Sequence, residues 1–325
     1  MVEEGAMASS FAPGIPDIPE EAPPEVLAFN QQIEDTLRQL PALWDVGAEA
    51  ARQAREEGRS IFGPMHLSER AEVMTADTAL GPIEVRVIRP SGEARGLFVH
   101  IHGGGWVLGG NHHHDPMLVN LADATNLVVA SVDYRLAPEH PYPAGPDDCE
   151  AGTLWLVHHA PDRFGVEVVA IGGESAGASL SVVTMLRLRD RYGLNPFRVA
   201  LLPYGAYDLR HTPSVRAFGD RPLILSTPIV DWFRDQYTQG ADLEDPDLSP
   251  IFADLTGMPP ALFVVGDQDP LIDDSLFMAA RWRRAGSRAE VDIWPGAIHA
   301  FDYFDTDYGR AARARMHAFV NAMLT

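Results

Sequence analysis

Apolar positions along the chain follow two periods, and the two alternate from residue 83 onward. Short, near-continuous runs of Val, Ile, Leu and Phe predict strands at 83–88, 96–102, 127–133, 168–172, 199–203, 261–266 and 290–294. Runs of that kind suit strands covered on both faces, which is the environment of a parallel sheet. Between them, helical spacing predicts helices at 117–125, 146–159, 176–192, 271–285 and 309–324. The alternation implies an α/β fold with a mostly parallel, doubly wound central sheet. Two regions stand outside it. Residues 20–75 carry helical spacing in Val26, Leu27, Ile33, Leu37 and Leu40, and again in Leu43, Trp44 and Val46. Residues 207–240 begin with Pro and Gly punctuation and end in Trp232, Phe233 and Tyr237. Both are expected beside the carboxyl ends of the strands, together forming a helical cap. The expected organisation is therefore an arm and cap helices over 1–55, a core over 56–206, a second cap segment over 207–240 and the rest of the core over 241–325.

Two glycine-rich motifs follow two of the predicted strands. Residues 102–106 read His-Gly-Gly-Gly-Trp, and residues 173–177 read Gly-Glu-Ser-Ala-Gly. The second has the G-x-S-x-G form of a sharp strand-to-helix turn that exposes a serine, here Ser175, at its tip. A glycine loop such as the first offers backbone N–H groups to a developing oxyanion, because no Cβ blocks the approach. A serine nucleophile needs a base, and the base needs an orienting carboxylate. After strand 261–266 comes Asp267-Gln-Asp269-Pro270, and after strand 290–294 comes Pro-Gly-Ala-Ile-His299. The order Ser, Asp, His fits a strand-based hydrolase, so His299 is the expected base. Among Asp267, Asp269, Asp273 and Asp274, Asp269 is preferred. Pro270 starts the next helix, leaving Asp269 in the loop at its cap and the last two inside the helix.

These residues resemble a known family closely. HGGGW, GESAG, Asp269-Pro-Leu, His299 and the block 133–144, Asp-Tyr-Arg-Leu-Ala-Pro-Glu-His-Pro-Tyr-Pro-Ala, are similar to the bacterial branch of the hormone-sensitive lipase family of carboxylesterases. The resemblance spans about residues 65–325. It implies the α/β-hydrolase fold with a helical cap, hydrolysis of short- to medium-chain carboxylic esters without a cofactor, and a small-molecule ester as the partner. It also implies oxyanion donors at the N–H groups of Gly104, Gly105 and Ala176, and dimerisation through the edge strand 290–294. Two alternatives stay open on the same machinery: an amidase or formamidase, and a non-catalytic receptor that retains the fold. Two positions depart from the family pattern, Ala178 and Ala300, each standing where glycine is usual. Glu174 replaces the commoner Asp and is expected to serve a local hydrogen-bond network.

Composition narrows the remaining classes. Apolar residues make up 46% and charged residues 22%, the balance of a globular enzyme. The net charge of −21 arises from 46 acidic residues against 25 basic ones, all of them arginine, which argues against nucleic acid as a partner. Salt adaptation and nucleotide bias both remain open as causes of the missing lysine. No apolar run approaches the roughly 18 residues of a membrane span. Residues 1–24 lack the basic start of a secretory signal, so a cytoplasmic location is expected. The single Cys149 is expected to be a small buried residue in a helix. The run Asn111-His-His-His-Asp115 is expected to hold no metal, since adjacent ligands diverge unless another element contributes, and Asp115 before Pro116 reads as a helix cap. Trp106, Trp232, Phe233 and Tyr237 are candidate substrate-pocket residues, weighed against a packing role. Arg135 and Glu139 are expected to form ion pairs around the proline-braced loop.

Overall fold

A computed structural model describes residues 15–325; the expected irregular arm falls largely before that point, outside the described residues. Eight strands form one sheet: β1 (Ala71–Thr78), β2 (Gly81–Ile88), β3 (Leu97–Ile101), β4 (Val128–Val132), β5 (Val168–Gly172), β6 (Val199–Pro203), β7 (Ala261–Gly266) and β8 (Ala289–Trp294). Their spatial order is β1-β2-β4-β3-β5-β6-β7-β8. β2 runs antiparallel to both β1 and β4, and every other pairing is parallel. The five-residue strands β3 to β6 and the six-residue β7 are buried throughout, which explains why they read as unbroken apolar runs. Period-two alternation divides each strand between two cores. Leu97, Val99 and Ile101 of β3 face one cluster, and Phe98 faces the other.

Helices α1 (Pro24–Leu37), α2 (Leu43–Glu56), α3 (Asp115–Thr125), α4 (Ala144–Phe164), α5 (Ala176–Tyr192), α6 (Pro213–Phe218), α7 (Thr227–Thr238), α8 (Ile272–Arg284) and α9 (Asp307–Met323) complete the fold. α4, α5 and α8 cover one face through Leu156, Met185 and Trp282, while α3 and α9 cover the other through Leu121 and Phe319. Cys149 is fully buried in α4. The chain moves from β3 outward to β4 and then returns to β5 on the other side of β3. That reversal is a topological switch point, where the loops after β3 and β5 leave a crevice at the carboxyl edge.

The reading of 20–75 as lying outside the strand alternation is corrected at its end. α2 ends at Glu56, and 71–78 form an edge strand paired with β2 along its whole length. Only Ala76 of that strand is buried, so no apolar alternation betrays it, and Ala, Glu and Asp are weak strand formers. Asp115 is corrected as well. It is the first residue of α3 and does not cap it, because its carboxylate is taken by Arg86 at 2.7 and 2.6 Å and by the Ser68 N–H at 2.7 Å.

Candidate active site

Ser175 stands between β5 and α5 with φ 57° and ψ −121°, a strained turn for a residue with a Cβ. The flanking glycines are required sterically. A Cβ on Gly173 or Gly177 would lie 1.8 or 1.9 Å from the Ile101 carbonyl oxygen. The tight position is thus Gly177, and Ala178 fits the core without exposure.

The serine hydroxyl lies 2.9 Å from Nε2 of His299, and Nδ1 of that ring lies 2.8 Å from Oδ2 of Asp269. With the Nδ1 proton donated to Asp269, Nε2 is left as the acceptor for the serine proton. Both residues are almost wholly buried. Tyr204 packs against the His299 ring edge to face at 4.8 Å, and its hydroxyl donates to Asp302 at 2.6 Å. Asp269 also accepts the Leu271 N–H at 2.9 Å, so its turn-bracing and histidine contacts coexist on separate oxygens. The competing carboxylates are engaged elsewhere. Asp267 accepts from the Gly296 N–H, Asp273 from the Ser214 N–H, and Asp274 from the Tyr207 and Asp208 N–H groups. Ala300 adopts φ 58°, in the left-handed region where glycine carries no penalty; its methyl costs about 1–2 kcal/mol there.

The loop 102–106 lies beside the serine. Gly104 and Gly105 have φ 118° and 62°, and a Cβ on Gly105 would meet the Phe233 ring at 2.3 Å. The N–H groups of Gly104, Gly105 and Ala176 have no partner among the described residues. The Gly103 N–H is held at 2.7 Å by Glu174, whose other oxygen meets His100 at 3.0 Å; His114 stands 3.1 Å away. Burial opposes a charge on Glu174, yet His114, His100 and the Gly103 N–H outweigh it and hold the carboxyl down at about 2. The Glu174 network therefore joins the strand before the serine to the glycine loop. His102 stacks on Tyr134 at 4.2 Å, and the Tyr134 hydroxyl donates to the His102 carbonyl at 2.9 Å.

A cleft of about 670 Å³ opens above Ser175 and His299. Leu43, Trp44, Ile61 and Phe62 line it from the N-terminal segment, and Ile224 and Ile229 from the 207–240 segment. Of the four aromatic residues expected there, Phe233 lines this cleft. Trp106 and Tyr237 are instead stacked on one another, 4.7 Å apart with nearly parallel rings, within the core beneath it. Trp232 borders a separate shallow depression with Trp44 and Arg216. Helical spacing identified an aromatic segment but could not assign its faces. Arg55 was not singled out by the sequence, yet it borders the cleft. Its guanidinium lies over Phe62 and Tyr303 and donates to the Tyr303 hydroxyl at 2.8 Å. Arg135 pairs with Asp148 at 2.7 Å and Glu139 with Arg52 at 2.8 Å, bracing the loop 133–144.

Comparison with known proteins agrees with this geometry. The profile of the alpha/beta hydrolase fold matches residues 98–303. The chain is 40% identical over 243 residues to the carboxylic ester hydrolase LipN of Mycobacterium tuberculosis, covering 71% of this chain and 64% of LipN, just under two thirds of the relative. It is 36% identical over 280 residues to the carboxylesterase NlhH of the same species, covering 82% and 87%. Among solved structures, the hyperthermophilic esterase of Pyrobaculum calidifontis superposes with a TM-score of 0.84 at 34% identity, covering 93% of this chain and 99% of that one. A hormone-sensitive lipase from a metagenome library superposes with a TM-score of 0.81 at 26% identity, covering 92% and 98%. Motifs, fold and relatives coincide: the chain belongs to the hormone-sensitive lipase branch of the α/β-hydrolase family of carboxylic ester hydrolases.

Proposed function

We propose that this carboxylesterase hydrolyses short- to medium-chain esters through a covalent acyl-enzyme, with Ser175 as nucleophile, His299 as base and Asp269 as its orienting carboxylate. The observation that carries the reading is the unbroken line from Asp269 through His299 to Ser175 at 2.8 and 2.9 Å. Ser175 Oγ attacks the ester carbonyl carbon while His299 Nε2 takes its proton. The carbonyl oxygen, now negative, receives the N–H groups of Gly104, Gly105 and Ala176. Collapse of the intermediate breaks the bond to the alcohol oxygen, which takes the proton back from His299 and leaves. Water then attacks the acyl carbon, its proton passing to His299, and a second collapse releases the acid and returns the proton to Ser175. The helical segments over 1–55 and 207–240 are read as one cap closing the apolar cleft, whose volume suits a small ester better than a long acyl chain.

The test is hydrolysis of p-nitrophenyl acetate, butyrate, octanoate and palmitate, with a matched anilide, by the wild type, Ser175→Ala and Phe233→Ala. Short esters are expected to be cleaved, the anilide and palmitate poorly, and Ser175→Ala not to turn over. Phe233→Ala is expected to shift preference toward longer acyl groups. Full activity in Ser175→Ala, or an anilide rate matching the esters, would overturn the mechanism or the substrate class respectively.

A further inference from the structure

Three of the five residues 111–115 point in different directions, as expected of adjacent side chains. Asn111 reaches Glu84, His114 stands beside Glu174, and Asp115 pairs with Arg86. His112 and His113 do not diverge, because a separate element meets them both. Glu56, the last residue of α2, places Oε1 3.1 Å from His112 Nε2 and 2.8 Å from His113 Nε2. All three ligand-type atoms lie within 4.8 Å of one another. We propose that Glu56, His112 and His113 form a site for a divalent transition ion of the Zn²⁺ class, fastening α2 to the loop that follows the glycine motif.

The donor set is two imidazoles and a carboxylate, which suits Zn²⁺ and its neighbours better than Mg²⁺ or Ca²⁺. Around a tetrahedral ion bound at about 2.0–2.1 Å, neighbouring ligand atoms stand about 3.3 Å apart. The two distances to Glu56 need to open by only a few tenths of an ångström. Glu56 is exposed and His112 partly so, leaving the outward side of the triangle free for water as a fourth ligand. α2 already has one fastening a turn earlier on the same face. Arg52 donates to the Val107 carbonyl at 2.7 Å and also to the Ala137 carbonyl. His113 borders the catalytic cleft, so an ion here would hold the α2 wall of that cleft against the core.

The experiment is titration of chelator-treated, dialysed protein with Zn²⁺ by calorimetry, with Co²⁺ absorption as a second readout. Wild type, Glu56→Gln and His112→Gln are compared; neither altered residue belongs to the proposed catalytic machinery. The expected result is one Zn²⁺ per wild-type chain with a raised melting temperature, and a d–d spectrum typical of low coordination with Co²⁺. Both variants should bind at least roughly tenfold more weakly and lose the thermal shift, while retaining metal-free ester hydrolysis. Equal affinity and stoichiometry in wild type and variants, or no binding by the wild type, would overturn the proposal.

Discussion

At the scale of single residues, Asp269 is the most discriminating position. The sequence offered four carboxylates within eight residues, and only the order of strands and Pro270 favoured one. In the structure, Asp269 is the one whose oxygen reaches His299, the other three being occupied by backbone N–H groups. Asp269→Asn should leave the fold intact but lose control of the imidazole tautomer, placing a proton on Nε2 where the serine needs an acceptor. A fall in kcat of about 10³- to 10⁴-fold on p-nitrophenyl butyrate is predicted. A fall of less than about tenfold would mean that another carboxylate orients the ring. Ser175 and His299 were legible because G-x-S-x-G and a histidine a few residues beyond a strand are local patterns. The glycine requirement at 173 and 177 was legible only as a motif; its cause is the approach of Ile101, which lies on another strand.

At the scale of elements, the central strands were readable because burial on both faces leaves no polar positions in them. β1 was not, because an exposed edge strand carries neither an apolar face nor strong strand formers. The aromatic segment of α7 was readable as a helix with Trp232, Phe233 and Tyr237, but which of these faced the cleft depended on Gly105 and Trp106, far away in sequence. A further long-range tie joins α8 to the segment after β6. Asp274, fully buried in the first turn of α8, accepts the Tyr207 and Asp208 N–H groups at 2.7 and 2.9 Å and the Thr212 hydroxyl at 2.8 Å. Burial raises its carboxyl to about 7 in spite of those bonds. A carboxyl raised above its unfolded value of about 3.9 favours the folded state in its protonated form. That contribution is complete below about 3.9 and is lost as pH rises through about 7. Urea midpoints of the wild type should therefore fall relative to Asp274→Asn between about pH 5 and about pH 8.5. A wild type that gains on the variant over that range would refute the assignment.

At the scale of the whole molecule, function follows from where the sheet changes direction. β3 and β5 are neighbours with His100 opposite Gly172, so the glycine loop and the serine turn are forced together at the strand ends. β7 and β8 then deliver Asp269 and His299 to that same edge. The two segments outside the alternation border one apolar cleft above them, a convergence that no local pattern encodes. The meeting of Glu56 with His112 and His113 belongs to the same class of feature, since 55 residues and three strands separate Glu56 from His112 in the chain. Among the described residues, no helix is long and apolar enough to cross a membrane. The most direct test of the central claim is intact-protein and peptide mass spectrometry after reaction with a p-nitrophenyl phosphonate, which traps a nucleophilic serine as a stable adduct. The account predicts one adduct per chain on the peptide containing Ser175, stoichiometric release of p-nitrophenol, and neither in Ser175→Ala. Ester turnover that persists without an adduct at Ser175 would contradict it.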